Sequence, residues 1–132
     1  MKKIISLILL LVLLTGCNNT PTEVTECINL SEGSEIILES RDGLIVRETS
    51  IVTTTLSRLG LNISTYYDYI EQALENFSHI NGLKVTFERF DQIVEITIVI
   101  DFSRFDYAEL SNDLEEVVNK LLNEGYYCRV IE

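Results

Sequence analysis

The sequence predicts an α+β fold: a two-layer sandwich with two helices on one face of a mainly antiparallel sheet. Residues 93–102, IVEITIVIDF, alternate apolar and polar side chains with a period of two, which is typical of a strand with one buried face. Two other segments repeat apolar side chains at helical spacing. Strand-like segments surround both helices in the order βββ-α-ββ-α-β, which favours helices packed on one side of a sheet.

The first three strands are predicted from β-branched runs that are separated by turn residues. They are ECINL (26–30), SEIILES (34–40) and LIVRETSIVTTTL (44–56). Asp42 and Gly43 between the second and third runs form the Asp-Gly signal of a β-hairpin.

The first helix is predicted to begin near Thr65, which forms a capping-box pattern with Asp68, or at Ser64. INGL at 80–83 ends it. Its apolar face consists of Tyr66, Ile70, Ala73, Leu74 and Phe77.

A hairpin follows, with LKVTFERF (83–90) as its first strand and residues 93–102 as its second. The second helix is predicted over 107–124, with Asp106 as its cap. YYCRVIE (126–132) is predicted as the closing strand. The apolar stripe of this second helix consists of Leu110, Leu114, Val117, Val118 and Leu121.

The N-terminus has the pattern of an export signal. Lys2 and Lys3 precede an apolar run from Ile4 to Leu14, which is about half the ~20 residues that a membrane-spanning helix needs. The run ends at Leu-Thr-Gly-Cys17, which resembles the lipobox of bacterial lipoproteins. Residues 1–16 are therefore predicted to be a lipoprotein signal peptide and Cys17 the acylated residue. A non-lipidated secretory signal or an uncleaved anchor is the alternative.

Lipidation predicts both the location and the domain organisation. Two acyl chains on Cys17 would hold the protein stably on the extracytoplasmic face of a bacterial membrane, with palmitate as a component. Residues 17–25, which contain the only proline, are interpreted as the lipidated cysteine and a flexible tether. Residues 26–132 are predicted to form a single domain.

The charge of the chain argues against two classes of partner. Its formal charge is −11, with 21 acidic residues against ten lysines and arginines, two of which lie in the signal. Binding to nucleic acid or to anionic lipid headgroups needs clustered basic residues, so neither is expected. A solvated acidic surface explains the charge, and a binding site for cationic ligands is the more specific alternative.

Two cysteines remain in the domain, Cys27 in the first strand and Cys128 in the last. An even pair in an exported protein favours a disulfide, which requires the first and last strands to be neighbours. Two separately buried thiols are the alternative.

The sequence carries no catalytic or phosphate-binding motif, and no cofactor or metal site is predicted. His79, the only histidine, is interpreted as a surface or capping residue. Asp101, Asp106 and Glu109 are candidates for an acid/base pair, although helix capping by Asp106 and solvation of the other two are the favoured interpretation. The tyrosines 66, 67 and 69 are interpreted as packing at the edge of the core, with an aromatic patch for a partner as the alternative.

Two stretches carry a resemblance to a known family. INGLKVTFERFDQIVEITIVIDFSRFDYAEL (80–110) and LLNEGYYCRVIE (121–132), together with the lipobox, resemble the YehR-like bacterial lipoproteins, whose domain has no assigned function. The resemblance covers about two-thirds of the chain. It implies a two-layer α+β fold and no functional residues.

These observations predict a membrane-anchored exported lipoprotein that is not an enzyme and acts as a binding or envelope-accessory module for an envelope protein or a small ligand. An envelope hydrolase or transferase with an unrecognised carboxylate site is the alternative from another class. A structural role through the open face of the sheet and a pheromone activity of the released signal fragment are further alternatives.

Overall fold

The computed structural model describes residues 22–106 and 110–131, and the predicted fold class and element order are confirmed. The six strands form one open sheet in the order β4-β5-β3-β2-β1-β6, and every neighbouring pair is antiparallel. The elements are β1 (Glu23–Asn29), β2 (Ser34–Arg41), β3 (Leu44–Thr55), α1 (Ile63–Phe77), β4 (Leu83–Phe90), β5 (Ile93–Asp101), α2 (Leu114–Asn123) and β6 (Tyr127–Val130).

Both helices lie on the same face of the sheet, which the strand register establishes. Ser34 in β2 pairs with Val52 in β3, and Val52 pairs with Ile96 in β5, so these three residues share a face. On that face Leu121 of α2 packs over β1 and β2. Tyr66 of α1 packs beside Ile96.

The core is divided into two clusters, one beneath each helix. The cluster at α2 consists of five buried residues: Cys27, Ile36, Leu38 and Ile45 of the sheet and Leu121 of the helix. The cluster at α1 consists of Leu56, Tyr66 and Val94. The alternate side chains, such as the register partners Ile37, Thr49 and Val99, point to the other face. We call that other side the open face, because no helix among the described residues covers it.

The predicted hairpin turn between β2 and β3 is confirmed. Asp42 and Gly43 have φ angles of 52° and 77°, and two successive positive φ angles are typical of a type I′ turn. This turn brings Leu44 directly opposite Arg41.

The predicted cap of α1 is wrong: the helix is capped by Asn62, and neither Thr65 nor Ser64 caps it. The Asn62 side-chain oxygen accepts a hydrogen bond from the Thr65 backbone N–H at 3.0 Å. The Thr65 hydroxyl oxygen accepts one from the Asn62 N–H, also at 3.0 Å. Asn62 has an extended backbone and a short polar side chain, which suit the capping position, and Thr65 completes the capping box from three residues further on.

The predicted start of α2 is also wrong, because the helix begins at Leu114 and is capped by Asp113. The Asp113 carboxylate accepts a hydrogen bond from the Glu116 N–H at 2.9 Å. Leu110 and the exposed Asp106 precede the helix, and residues 107–109 lie outside the described residues. The reason is tertiary: the Asn112 carbonyl accepts from the Ile45 N–H at 2.7 Å, which holds this segment extended against the hairpin.

The first and last strands differ from their predicted bounds as well. β1 begins at Glu23, three residues before the predicted first strand, because Glu23 to Thr25 pair with residues 38–40 of β2. The closing strand is shorter than predicted. Its predicted first residue, Tyr126, is still part of the helix terminus, since its N–H donates to the Leu121 carbonyl at 3.0 Å.

Candidate functional site

A cleft of about 470 Å³ opens between α2, β6 and the turn of the β2–β3 hairpin. Its apolar walls are built by Leu44, Leu114, Val118, Cys128 and Val130. Leu44 is 49% exposed and Val130 is 62% exposed, so part of this apolar lining faces solvent. A concave surface of this kind is where ligands bind most often.

The rim of this cleft is acidic. Four carboxylates line it, those of Glu23, Asp42, Asp113 and Glu115. Arg129 is the one basic residue among the described residues that line the cleft, and its Nε is bound to a carboxylate oxygen of Glu26 at 2.8 Å. The cleft therefore presents apolar surface together with negative potential.

Backbone contacts between distant segments hold the cleft open. The Leu114 N–H donates to the Gly43 carbonyl at 3.0 Å, and Leu44 and Asp113 form an isolated β-bridge. The first turn of α2 is thus fixed to the hairpin turn. Because rigid elements supply its walls, the cleft is preformed.

The disulfide predicted from the sequence forms one wall of the cleft. Cys27 and Cys128 lie opposite each other on β1 and β6, with their Cα atoms 4.0 Å apart, and are joined by a disulfide. Cys27 is fully buried. The predicted acylation site, Cys17, lies outside the described residues.

A second pocket, of about 380 Å³, lies under α2 and contains a carboxyl group that the sequence analysis missed. Glu48 of β3 points to the helix-covered face, where it pairs in register with Leu38 and Ile100. Burial raises the pKa of the Glu48 carboxyl, although the Ser50 hydroxyl at 3.2 Å and the charge of Lys120 oppose this shift. The alternation of β3 could have identified this carboxyl from the sequence, because Glu48 occupies a position at which the side chains of the strand point inward.

A pair of neighbouring carboxyls lies on the open face. Arg129 donates a hydrogen bond to Glu26 and lowers the pKa of that carboxyl. Burial and the adjacent Glu26 carboxylate raise the pKa of Glu35. Glu35 lines a cavity of about 210 Å³ beside the turn between β1 and β2, and Glu26 is not part of that lining.

The carboxylates proposed from the sequence as an acid/base pair are not brought together among the described residues. Asp101 accepts hydrogen bonds from the Ser103 hydroxyl at 2.6 Å and the Ser103 N–H at 3.0 Å, which lower the pKa of Asp101. Asp106 is exposed, and Glu109 lies outside the described residues. His79 is exposed just beyond the end of α1, as predicted.

Two of the tyrosines of α1, Tyr66 and Tyr67, lie beside Arg89. The Arg89 guanidinium carbon lies 5.8 Å from the ring centre of Tyr66 and 6.0 Å from that of Tyr67. Tyr66 is buried, and burial raises the pKa of its phenol. Tyr67 and Tyr69 are 61% and 38% exposed, so Tyr66 is the one of the three that packs in the core.

The described residues contain no cluster of three His, Cys, Asp or Glu side chains that would suit a metal ion. No helix among them combines the length and the apolar character that crossing a bilayer requires.

Three comparisons place the chain among known proteins. Residues 1–18 match the prokaryotic membrane lipoprotein lipid attachment site, which supports membrane anchoring through a cysteine. The NMR structure of the YehR protein of E. coli superimposes with a TM-score of 0.59 at 16% identity, covering 86% of this chain and 94% of that one. The NMR structure of a protein from Streptococcus pneumoniae TIGR4 has a TM-score of 0.56 at 13% identity, covering 84% and 87%.

The shared fold and the attachment site confirm the resemblance to YehR-like lipoproteins that the sequence predicts. No curated protein sequence matches the chain. The comparisons therefore describe a membrane-anchored lipoprotein and its fold.

Proposed function

We propose that this lipoprotein is a non-catalytic binding module on the extracytoplasmic face of the membrane, and that its ligand site is the cleft between α2 and β6. The cleft itself is the observation that carries the proposal. It combines about 470 Å³ of preformed space, apolar walls and four carboxylates at the rim. The signal peptide, the diacylated Cys17 and an oxidised Cys27–Cys128 pair suit an exported protein.

The chemistry of the cleft defines the class of ligand. Apolar walls favour aliphatic side chains, and the carboxylates of Glu23, Asp42 and Glu115 favour positive charge. Asp113 contributes less, because its carboxylate already caps α2. A polypeptide segment that alternates apolar and basic side chains fits both properties.

An NMR titration of the detergent-solubilised lipidated protein tests this proposal with two hexapeptides, (Lys-Leu)₃ and (Glu-Leu)₃. We expect the basic peptide to shift the methyl signals of Leu44, Val118 and Val130. The acidic peptide should leave them unchanged. Equal shifts with both peptides, or no shift at millimolar concentration, would contradict the proposal.

Two variants locate the binding. Val118→Trp fills the cleft and should abolish the shifts, whereas Leu74→Trp places the same side chain on the exposed part of α1 and should preserve them. Glu115→Gln should weaken binding of the basic peptide without altering the shape of the cleft. Retained binding in Val118→Trp would show that the peptide binds elsewhere.

The second candidate function is an envelope hydrolase or transferase, and Glu48 is the observation that favours it. A carboxyl with a raised pKa in a pocket is a typical general acid, and Glu116 and Glu124 line the same pocket. Hydrolysis of peptide, ester or glycoside substrates that disappears in Glu48→Gln and persists in Glu88→Gln would support an enzyme. Unchanged hydrolysis rates in Glu48→Gln would contradict the enzyme, because Glu48 is the only general acid assigned to it.

A further inference from the structure

The basic residues of the domain are concentrated at one end of the open face. Ten lysines and arginines occur in the chain, of which Lys2 and Lys3 precede Cys17. Four of the remaining eight line two adjoining pockets that share Glu39, Arg47 and Asp101. We call these four residues the basic cluster: Arg41, Arg47, Lys84 and Arg104.

The two pockets are also lined by two carboxylates, Glu39 and Asp101. The charges of Arg104 and Arg47 act on Asp101 in addition to the hydrogen bonds from Ser103. Glu39 lies 3.4 Å from an Arg47 guanidinium nitrogen, and Asp101 accepts two hydrogen bonds from Ser103. Lys84 and Arg104 are exposed and form no ion pair with any described residue. Because four basic side chains stand against two carboxylates, the cluster keeps a net positive charge on a domain that is otherwise strongly acidic.

Close backbone packing fixes the cluster in place. The Asp101 N–H donates to the Gly82 carbonyl at 2.8 Å, which joins the loop before β4 to the end of β5. Arg104 follows in a turn, and its backbone N–H donates to the Asp101 carbonyl at 3.1 Å. The larger of the two pockets has a volume of about 600 Å³, enough for a phosphate and its adjoining groups.

The chain leaves the domain toward its lipid anchor from within this cluster. Thr22, the first described residue, lines the second pocket, and its hydroxyl accepts a hydrogen bond from Arg41 Nε at 3.2 Å. Four residues lie between Cys17 and Thr22, and the five Cα-to-Cα steps span at most about 18 Å at full extension. An acylated Cys17 thus keeps Thr22, which lies beside Arg41 of the cluster, within this distance of the lipid surface.

We propose that the basic cluster docks on the phosphate headgroups of anionic phospholipids in the membrane that holds the anchor. Docking turns the end of the open face that carries the cluster toward the bilayer. The acidic rim of the cleft lies at the same end of the sheet but on the other face, so repulsion by the same headgroups turns it away. The basic cluster is separate from the cleft, so docking on the lipid does not depend on what the cleft binds.

The test uses the lipidated protein in nanodiscs that carry a small fraction of gadolinium-headgroup lipid. One set of nanodiscs contains equal parts of phosphatidylglycerol and phosphatidylcholine, and the other contains phosphatidylcholine only. In the anionic nanodiscs we expect relaxation enhancement at the Val99 methyls, on the open face, to exceed that at Val118, in the cleft, several-fold. Molar sodium chloride should remove this difference, because it shortens the Debye length to about 3 Å.

A pair of matched variants separates the cluster from overall charge. Arg104→Gln should weaken docking about fivefold, the effect of one basic residue near an anionic surface. Arg58→Gln removes the same charge from an exposed arginine outside the cluster and should leave docking unchanged. Equal enhancement at Val99 in both kinds of nanodisc, or equal loss in both variants, would overturn the proposal.

A phosphate titration distinguishes the lipid from a soluble ligand. Millimolar inorganic phosphate that shifts Lys84 and Arg104 signals equally in both nanodiscs, with no dependence on phosphatidylglycerol, would assign the site to a free phosphate and overturn docking. Competition by phosphate in the anionic nanodiscs only is the result that docking requires.

Discussion

Cys27 and Cys128 face each other directly across β1 and β6, and their disulfide joins two residues that are 101 positions apart in the chain. β6 has only four residues and forms one edge of the sheet. The bond therefore fixes a short edge strand that has few other contacts to hold it. It also fixes one wall of the cleft.

Removing this disulfide should destabilise the domain. We expect Cys27→Ala/Cys128→Ala to lower the free energy of unfolding by about 2–5 kcal/mol, because a loop of this length restricts the unfolded chain strongly. Urea unfolding with and without reductant measures the effect. In the double variant the reductant should change nothing, and an unchanged midpoint for the reduced wild-type protein would contradict the prediction.

Glu48 should make the protein more stable as the pH falls through the acid range. Burial raises the pKa of Glu48 above 4.5, its ordinary value, so the folded state holds this proton when the unfolded chain has released it. Stability from this group is present below the unfolded pKa and is lost as the pH rises through the folded one. Urea midpoints between about pH 4 and pH 7.5 measure it.

Glu48→Gln should remove this contribution and raise the urea midpoint near neutral pH. Glu88→Gln, which changes an exposed residue of β4, serves as the matched control. A pH dependence that is identical in wild type and Glu48→Gln would show that Glu48 is not its source.

The position of the α2 cap predicts which of two aspartates matters for stability. Asp113→Ala should cost about 0.5–2 kcal/mol, since it removes the acceptor for the Glu116 N–H. Asp106→Ala should stay within about 0.5 kcal/mol of wild type, because Asp106 is exposed and lies outside the helix. Thermal unfolding of both variants measures this, and the reverse ranking would restore Asp106 as the cap.

Alanine substitutions at two glycines with similar φ angles distinguish the cost of a steric clash from the cost of backbone strain. Gly43 and Gly82 have φ angles of 77° and 75°. A Cβ on Gly43 would meet no heavy atom within 4 Å, whereas one on Gly82 would lie 2.7 Å from the Asp101 carbonyl oxygen. Gly43→Ala should therefore cost about 1–2 kcal/mol from the left-handed conformation alone.

Gly82→Ala should cost clearly more than Gly43→Ala, because the same strain is joined by a backbone clash. Urea unfolding of the two variants under one set of conditions gives the difference directly. Equal losses would mean that the loop before β4 moves away without cost, and the basic cluster would then be less rigid than its hydrogen bonds indicate.

Cys17 should determine membrane attachment. Cys17→Ser removes the thiol that accepts the lipid, so we expect loss of radiolabelled palmitate incorporation and release from the membrane fraction. The intact mass of the protein purified from its host membranes should equal residues 17–132 plus acyl groups, less two protons for the disulfide. A mass that matches the unmodified full chain would contradict both the cleavage and the anchor.

The sequence by itself determined the fold class, the order of the elements and the anchor, since each of these is written in local patterns. The alternation in β5 specifies a strand with one buried face regardless of its neighbours, and the Asp42–Gly43 turn specifies a hairpin. The attachment motif is read as a linear signal, so it needs no fold at all.

Only the tertiary structure decided the start of α2, the cleft and the basic cluster. Helical periodicity around Leu110 was overridden by the hydrogen bond from Ile45 to Asn112, a contact between segments that are 67 positions apart. The cluster likewise joins Arg41, Lys84 and Arg104, which no spacing in the sequence relates. Local propensities are weak, so a few long-range backbone contacts decide where an element begins and which side chains meet.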